Sequence, residues 1–252
     1  YVNFPQTVKL KARVISQDSV MFRYPFRIHI REDKAVVMDL HATEYFFHAF
    51  SYPDFHYLTS FGRRGDAPEE MLSAENFRWN GRFLWTLDSN KSELTRFGFA
   101  SSSDSLLSLE VVSLDEELLR ALDFVQYDDS TFIIPDYSGD SRFCLVSRQG
   151  KLLRKVGNIP TTNEDALESA RPALAQAWRS FIDYNPHNGI LVAATQLGEV
   201  LEIYNLKDST HIACIGPNGE PEFQISQGYG IPTGIMGFSD VQVTDTAIYV
   251  VF

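Results

Sequence analysis

The sequence has few cysteines. It contains only two, Cys144 and Cys214, in 252 residues. Neither belongs to a CxxC motif or a Cys/His cluster, which excludes a cysteine-based zinc site. The two fall on non-equivalent strands of different repeats in the pattern described below. We therefore expect no disulfide between them, and each should be a small, buried core residue.

The sequence also lacks long apolar runs and an excess of basic residues. No stretch of about 18 apolar residues occurs, so no transmembrane segment is predicted. The formal net charge is −11 and the sequence pI is about 5.0, with Lys and Arg scattered along the chain. Such a chain repels a phosphate backbone, which excludes nucleic acid as a partner. The chain begins at Tyr1 rather than at Met, which favours export.

Aromatic and β-branched residues are abundant. Aromatics make up 13% of the chain, with 19 Phe and 11 Tyr, and hydrophobic residues make up 44%. Runs rich in Val, Ile and Thr lie between these aromatics. This composition favours strands over helices and predicts an all-β fold with a sizeable core.

A unit of four short strands recurs four times and begins a fifth time. Polar turns rich in Asn, Asp and Gly separate its strands, as tight hairpins require. Successive copies are 47 to 59 residues apart. This period predicts the four-stranded blades of a β-propeller forming a single domain over residues 1–252. The predicted blades span about 26–62, 77–112, 124–157 and 181–216, with a partial blade from 240.

Two segments lie outside this repeat. Residues 8–15 alternate basic and apolar side chains, which predicts a strand within segment 1–25 that closes the ring as the outer strand of the last blade. Residues 163–178 carry apolar residues at helical spacing. Asn163 can cap a helix there, and Pro172 predicts a break near Arg171, giving two short helices.

The turn that follows the first blade carries a motif. It reads Phe61-Gly62-x-x-Gly65-x-x-Pro68-Glu69 and resembles the turn typical of the six-bladed, TolB-like or NHL-like propeller lipoproteins of gut Gram-negative bacteria. The resemblance covers most of the chain from about Phe26 onward. It implies an exported protein of the periplasm or outer-membrane surface, with a lipid anchor upstream and no settled biochemical activity. Six blades need roughly 300 residues, so the ring is expected to be incomplete in this chain.

The inter-blade connections are long and lie on one face of a propeller, where binding residues concentrate. On that face Arg63 and Arg64, with Asp66 and Glu69, form the densest polar cluster. The two arginines could clamp a carboxylate or phosphate. The competing interpretation is that Arg64 and Asp66 pair locally and stabilise the turn.

A metal site is the alternative. Asp123, Asp183 and Asp240 lie at or within the innermost strands of successive blades. If they converged on the central channel they could bind calcium, as in a calcium-dependent propeller hydrolase, lactonase or lyase. The four histidines of the first blade have no carboxylate at ligand spacing and are read as structural.

The leading hypothesis is a non-enzymatic binding or scaffold module of the cell envelope. Its long inter-blade loops would recognise a peptide, glycan or partner protein, and no cofactor is needed. No catalytic motif occurs in the sequence, so an enzyme is the less favoured interpretation. A purely structural scaffold is a third hypothesis, which a broad exposed apolar patch would favour over a pocket.

Overall fold

A computed structural model describes residues 6–101, 103–226 and 229–252. The chain divides into two compact units, one over residues 6–114 and the other comprising residues 115–252 among those described. Each unit contains two four-stranded antiparallel sheets, and in every sheet the strands follow one another in chain order. The all-β, four-stranded-blade prediction is confirmed.

The unit 6–114 holds the first and second blades. The first consists of β1 (Pro25–Arg31), β2 (Lys34–Asp39), β3 (Tyr45–Ser51) and β4 (Tyr57–Arg63). The second consists of β5 (Asn76–Asn80), β6 (Phe83–Asp88), β7 (Glu93–Phe99) and β8 (Leu106–Ser113). Each blade begins and ends within one residue of the predicted bounds.

The unit 115–252 holds the third and fourth blades and two hairpins. The third blade consists of β9 (Val125–Gln126), β10 (Thr131–Pro135), β11 (Phe143–Ser147) and β12 (Leu152–Val156). The helices α1 (Glu164–Ser169) and α2 (Arg171–Ala177) follow. The fourth blade consists of β13 (Ser180–Asn185), β14 (Ile190–Thr195), β15 (Val200–Asn205) and β16 (Thr210–Ile215). The hairpins are β17 (Phe223–Ser226) with β18 (Tyr229–Pro232) and β19 (Asp240–Val243) with β20 (Ile248–Val251).

The second strand of each blade is buried on both faces. Five of the six residues of β2 are buried, and β6, β10 and β14 show the same pattern. Their sequences are nearly continuous apolar runs, as is typical of strands that are buried on both faces of the sheet. In the unit 6–114, Phe47 contacts both Phe61 and Phe77, with ring centroids 5.1 and 5.5 Å away. The core therefore lies between the facing sheets of the two blades.

The helical insertion was predicted correctly. The Asn163 side chain accepts a hydrogen bond from the Ala166 N–H at 3.0 Å, which caps α1. The break falls at Ala170, one residue before the predicted position, and Pro172 lies in the first turn of α2. A proline is tolerated there because the first helical N–H groups have no intrahelical acceptor. Trp178 follows α2 and is fully buried.

Two expectations were wrong. Residues 8–15 form no strand, and most of them are exposed. A strand requires a pairing partner, and no strand of the described residues pairs with this segment. Cys144 is buried, but Cys214 is exposed because it lies on β16, the outer strand of its blade. Both cysteines are free thiols. The role of segment 1–25 in closing a ring stays a prediction, and residues 1–5 lie outside the described residues.

Candidate functional site

The predicted Arg63–Glu69 cluster forms a closed turn in the unit 6–114. Arg64 donates a hydrogen bond from Nη1 to the Ala42 carbonyl oxygen at 3.0 Å, and its guanidinium lies over the Phe46 ring. Arg64 therefore joins this turn to the loop between β2 and β3. It does not bond to Asp66, the partner that local pairing predicted, and Asp66 and Glu69 are exposed.

The other arginine of this turn also has a local partner. Arg63 Nε lies 3.6 Å from Glu70 Oε1, with about two thirds of the arginine side chain exposed. Lys91 donates from Nζ to the carbonyl oxygens of Ala67 and Glu70 at 2.9 and 2.8 Å. Arg63 thus contacts its own turn and Arg64 contacts the loop between β2 and β3, and their role as a clamp for a carboxylate or phosphate stays a prediction.

The three aspartates of the metal alternative bind backbone N–H groups. Asp123 accepts from its neighbour Phe124 at 2.7 Å and from Ile182 at 3.0 Å. Asp183 accepts from Val243 at 2.7 Å. Asp123 thus links the third blade to the fourth, and Asp183 links the fourth blade to the β19–β20 hairpin.

The third aspartate, Asp240, accepts from the adjacent Val241 N–H at 2.9 Å. Within the described residues, no group of three or more His, Cys, Asp or Glu side chains could hold a metal ion. The three aspartates are therefore not brought together as a ligand set. The calcium alternative stays a prediction.

A pocket of about 300 Å³ opens on the long-loop face of the unit 115–252. It is built from the connection before β9, the loop after β10, helix α2 and strand β18. Its lining residues are Leu119, Arg120, Leu122, Tyr137, Pro172, Gln176, Arg179 and Tyr229. The lining therefore consists of two arginines, one glutamine, two tyrosines, two leucines and one proline, and none of these residues is acidic.

The backbone positions both arginines. Arg120 has φ = 45°, a left-handed conformation that non-glycine residues rarely adopt and that costs about 1 kcal/mol or more. The Arg179 N–H donates to the Gln176 carbonyl oxygen at 3.2 Å, and the Arg179 carbonyl accepts from the Gln196 N–H at 2.8 Å. Arg179 is thus fixed between the end of α2 and the start of β13.

Hydrogen bonds within the loop after β10 hold the part of the pocket wall that contains Tyr137. Tyr137 is buried and follows Asp136, which accepts from the N–H groups of Ser138 and Ser141 at 2.9 and 3.1 Å. Two other lining residues, Leu119 and Tyr229, are exposed. The site can therefore hold an anionic group near the guanidinium groups while an apolar group contacts the rim.

Sequence reasoning identified the loops of this pocket but not its residues. The lining residues fall mostly in the three long connections around residues 113–123, 158–180 and 217–239, which were predicted to carry binding residues. Arg120 and Arg179 belong to no motif; Arg120 is the single basic residue of its connection, and Arg179 shares its connection with Arg171. Only the tertiary structure brings the two to one pocket.

Four-stranded antiparallel blades with face-to-face packing define this chain as a β-propeller protein. It belongs to the TolB-like 6-blade propeller-like family, whose model matches residues 3–252. The described residues show four complete blades, followed by a hairpin at the position of a fifth. None of the curated proteins matches this sequence.

Several solved structures are similar in fold. A Bacteroides fragilis protein named as an exported protein is 9% identical over 79% of this chain and 73% of its own, with a TM-score of 0.49. A streptogramin B lyase is 13% identical over 76% of this chain, with a TM-score of 0.47. A Bacteroides fragilis protein named as a 6-phosphogluconolactonase is 13% identical over 80% of this chain, with a TM-score of 0.48. This chain spans 54% and 60% of the length of the latter two.

Proposed function

We propose that this protein is a non-enzymatic binding module that recognises a carboxylate-bearing peptide of a partner protein. The pocket of Arg120 and Arg179 on the long-loop face is the proposed site. Its two guanidinium groups in a strongly acidic chain are the observation that carries the proposal. Guanidinium groups bind carboxylates through paired, charge-assisted hydrogen bonds.

The apolar rim favours a peptide over a glycan. Leu119 and Tyr229 expose about half or more of their side-chain surface next to the two arginines. A peptide that ends in an apolar residue presents its carboxylate and a hydrophobic side chain a few ångströms apart. That combination matches the pocket better than a row of hydroxyl groups does.

The proposal extends to the cell envelope. The TolB-like family supports an exported protein of the periplasm or outer-membrane surface, and the proposal adds a lipid anchor upstream of this chain. Among the described residues, no helix is both long and apolar enough to cross a membrane. Membrane fractionation of the producing bacterium tests this part. Recovery of the protein in the cytosolic fraction would contradict it.

The binding proposal is tested with two sets of peptides. Tetrapeptides that end in Leu or Phe with a free carboxylate are titrated calorimetrically, and their C-terminal amides serve as ligand controls. We expect Arg120→Gln and Arg179→Gln each to weaken carboxylate binding about tenfold or more, because each removes a charged donor. Arg82→Gln removes an exposed arginine of the other unit and should change nothing. Equal binding of acids and amides would overturn the proposal.

A further inference from the structure

A second cleft, also of about 300 Å³, lies between the third and fourth blades of the unit 115–252. The sheet of β9–β12 forms one wall, and β14–β16 form the other. Aromatic rings of Tyr127, Phe143 and Tyr204 line it together with aliphatic side chains. A volume of this size is at the lower end of the range that small-molecule sites occupy.

The cleft is continuous with the packed core between these blades. Ile133, Phe143 and Leu191 belong to the buried cluster and also line the cleft. Toward the outer strands β12 and β16, the facing sheets instead leave a space whose lining includes half-buried and exposed residues. Apolar walls without a filling side chain favour entry of an apolar ligand.

One aromatic wall is held rigidly. The Tyr204 hydroxyl donates to Glu202 Oε1 at 2.5 Å, and the Tyr204 ring stacks on the His211 ring with centroids 4.1 Å apart and planes within 8°. Burial and the Glu202 carboxylate raise the pKa of Tyr204, so its phenol remains a neutral hydrogen-bond donor. A flat ligand would meet a preorganised surface, which lowers the entropic cost of binding.

The mouth of the cleft is basic. Arg154 is exposed on β12, and its side chain makes no hydrogen bond or ion pair within the described residues. His211 lines the opposite side of the cleft. An unpaired guanidinium next to aromatic walls complements a planar molecule that carries one anionic group at its edge.

We propose that this cleft binds a planar aromatic carboxylate. The ring system lies between the blades against Tyr204 and Phe143, and the carboxylate reaches Arg154. This site is distinct from the peptide pocket of Arg120 and Arg179, because none of the residues lining one pocket lines the other.

The test uses 2-naphthoate, with the neutral 2-naphthalenemethanol as the matched ligand. Calorimetric titration of the whole chain should show that 2-naphthoate binds more tightly than the alcohol. Arg154→Gln should weaken naphthoate binding about tenfold and leave alcohol binding unchanged. Leu145→Trp places a large ring in the cleft and should abolish binding of both. Urea unfolding of each variant verifies that the fold is retained.

Arg120→Gln is the control that separates this proposal from the peptide site. It should leave naphthoate affinity unchanged while it weakens peptide binding. Naphthoate binding that Arg120→Gln weakens and Arg154→Gln does not would place the ligand in the other pocket and overturn the inference. Absence of naphthoate binding, or binding that a folded Leu145→Trp variant retains, would also overturn it.

Discussion

Arg142 and Glu202 form a buried ion pair that joins the third blade to the fourth. Arg142 Nε donates to Glu202 Oε2 at 2.9 Å, and both side chains are at most 2% exposed. The remaining guanidinium donors reach the Trp178 carbonyl oxygen at 3.2 Å and the Ser180 hydroxyl at 2.7 Å. Burial of two charges is tolerated here because their hydrogen-bonding groups are satisfied by each other and by neighbouring polar atoms.

We expect Arg142→Met to destabilise the protein by about 3–5 kcal/mol, because it leaves the Glu202 carboxylate buried without its cation. Urea unfolding measures the change. The double variant Arg142→Met, Glu202→Leu should recover most of the loss, since no unpaired charge remains. A double variant as unstable as the single one would show that the unpaired charge is not the cause.

An exposed pair provides the control. Arg63 and Glu70 lie 3.6 Å apart with the arginine largely exposed. Because solvent screens such a pair, Arg63→Met should change stability by less than about 1 kcal/mol. A loss as large as that of Arg142→Met would mean that burial does not determine how much stability is lost when the arginine of an ion pair is removed.

The sequence predicted the blades well because strand order and hairpin turns are local properties. The period of polar turns located all four blades, and the helix break near Arg171 followed from Pro172. Side-chain partners are not local. Arg142 and Glu202 are 60 residues apart in different repeats, and no sequence pattern pairs them. Arg64 was expected to bond to Asp66 two residues away, but it reaches Ala42 in another loop instead.

Residues 8–15 show that alternating basic and apolar side chains are not enough to predict a strand. Alternating apolar residues describe a segment that could pair, and pairing requires a partner strand. The pocket residues Arg120 and Arg179, which carry the binding proposal, show a second limit. Each is unremarkable in its own loop, and they reach one pocket only because a long connection, a helix and a blade pack together.

Burial makes His29 a source of acid sensitivity. Burial of the ring, with the charges of Arg78 and then Arg27, lowers its pKa well below the usual 6.5. The ring contacts Phe77 edge-on at 4.8 Å, and its Nε2 is inaccessible to solvent. Below pH 6.5 the unfolded chain therefore binds a proton that the folded state excludes.

The stability that neutral His29 contributes is fully present above pH 6.5 and is lost as the pH falls below it. The slope for one proton is at most about 1.4 kcal/mol per pH unit. Urea unfolding between pH 5 and pH 8 should show a shallower acid loss for His29→Gln than for the natural chain. His56→Gln replaces an exposed histidine and should leave the profile unchanged. Parallel profiles for all three proteins would contradict this assignment.

Gly62 and Gly81 both have positive φ angles, 65° and 55°, but their surroundings differ. A Cβ at Gly62 would lie 2.7 Å from the Phe47 ring, whereas a Cβ at Gly81 would meet nothing within 4 Å. Gly81→Ala should cost about 1–2 kcal/mol from backbone conformation alone. Gly62→Ala should cost about 1–3 kcal/mol more, because the core must shift to admit the methyl group. Equal losses of stability in thermal or urea unfolding would show that the Phe47 ring can move aside without lowering the free energy of unfolding.

Calcium should not stabilise this protein through Asp123, Asp183 and Asp240. These side chains accept hydrogen bonds from the backbone N–H groups of Phe124, Ile182, Val243 and Val241. A cation would have to displace these bonds, two of which link separate strands, and it would need several oxygen ligands at 2.3–2.6 Å. A ligand that binds only the folded state must raise the melting temperature. We therefore expect the same melting temperature in millimolar CaCl₂ and in EGTA.

A calcium-specific rise in melting temperature that Asp183→Asn abolishes would contradict this expectation. It would instead support a metal-dependent propeller enzyme and direct mutagenesis to these three residues.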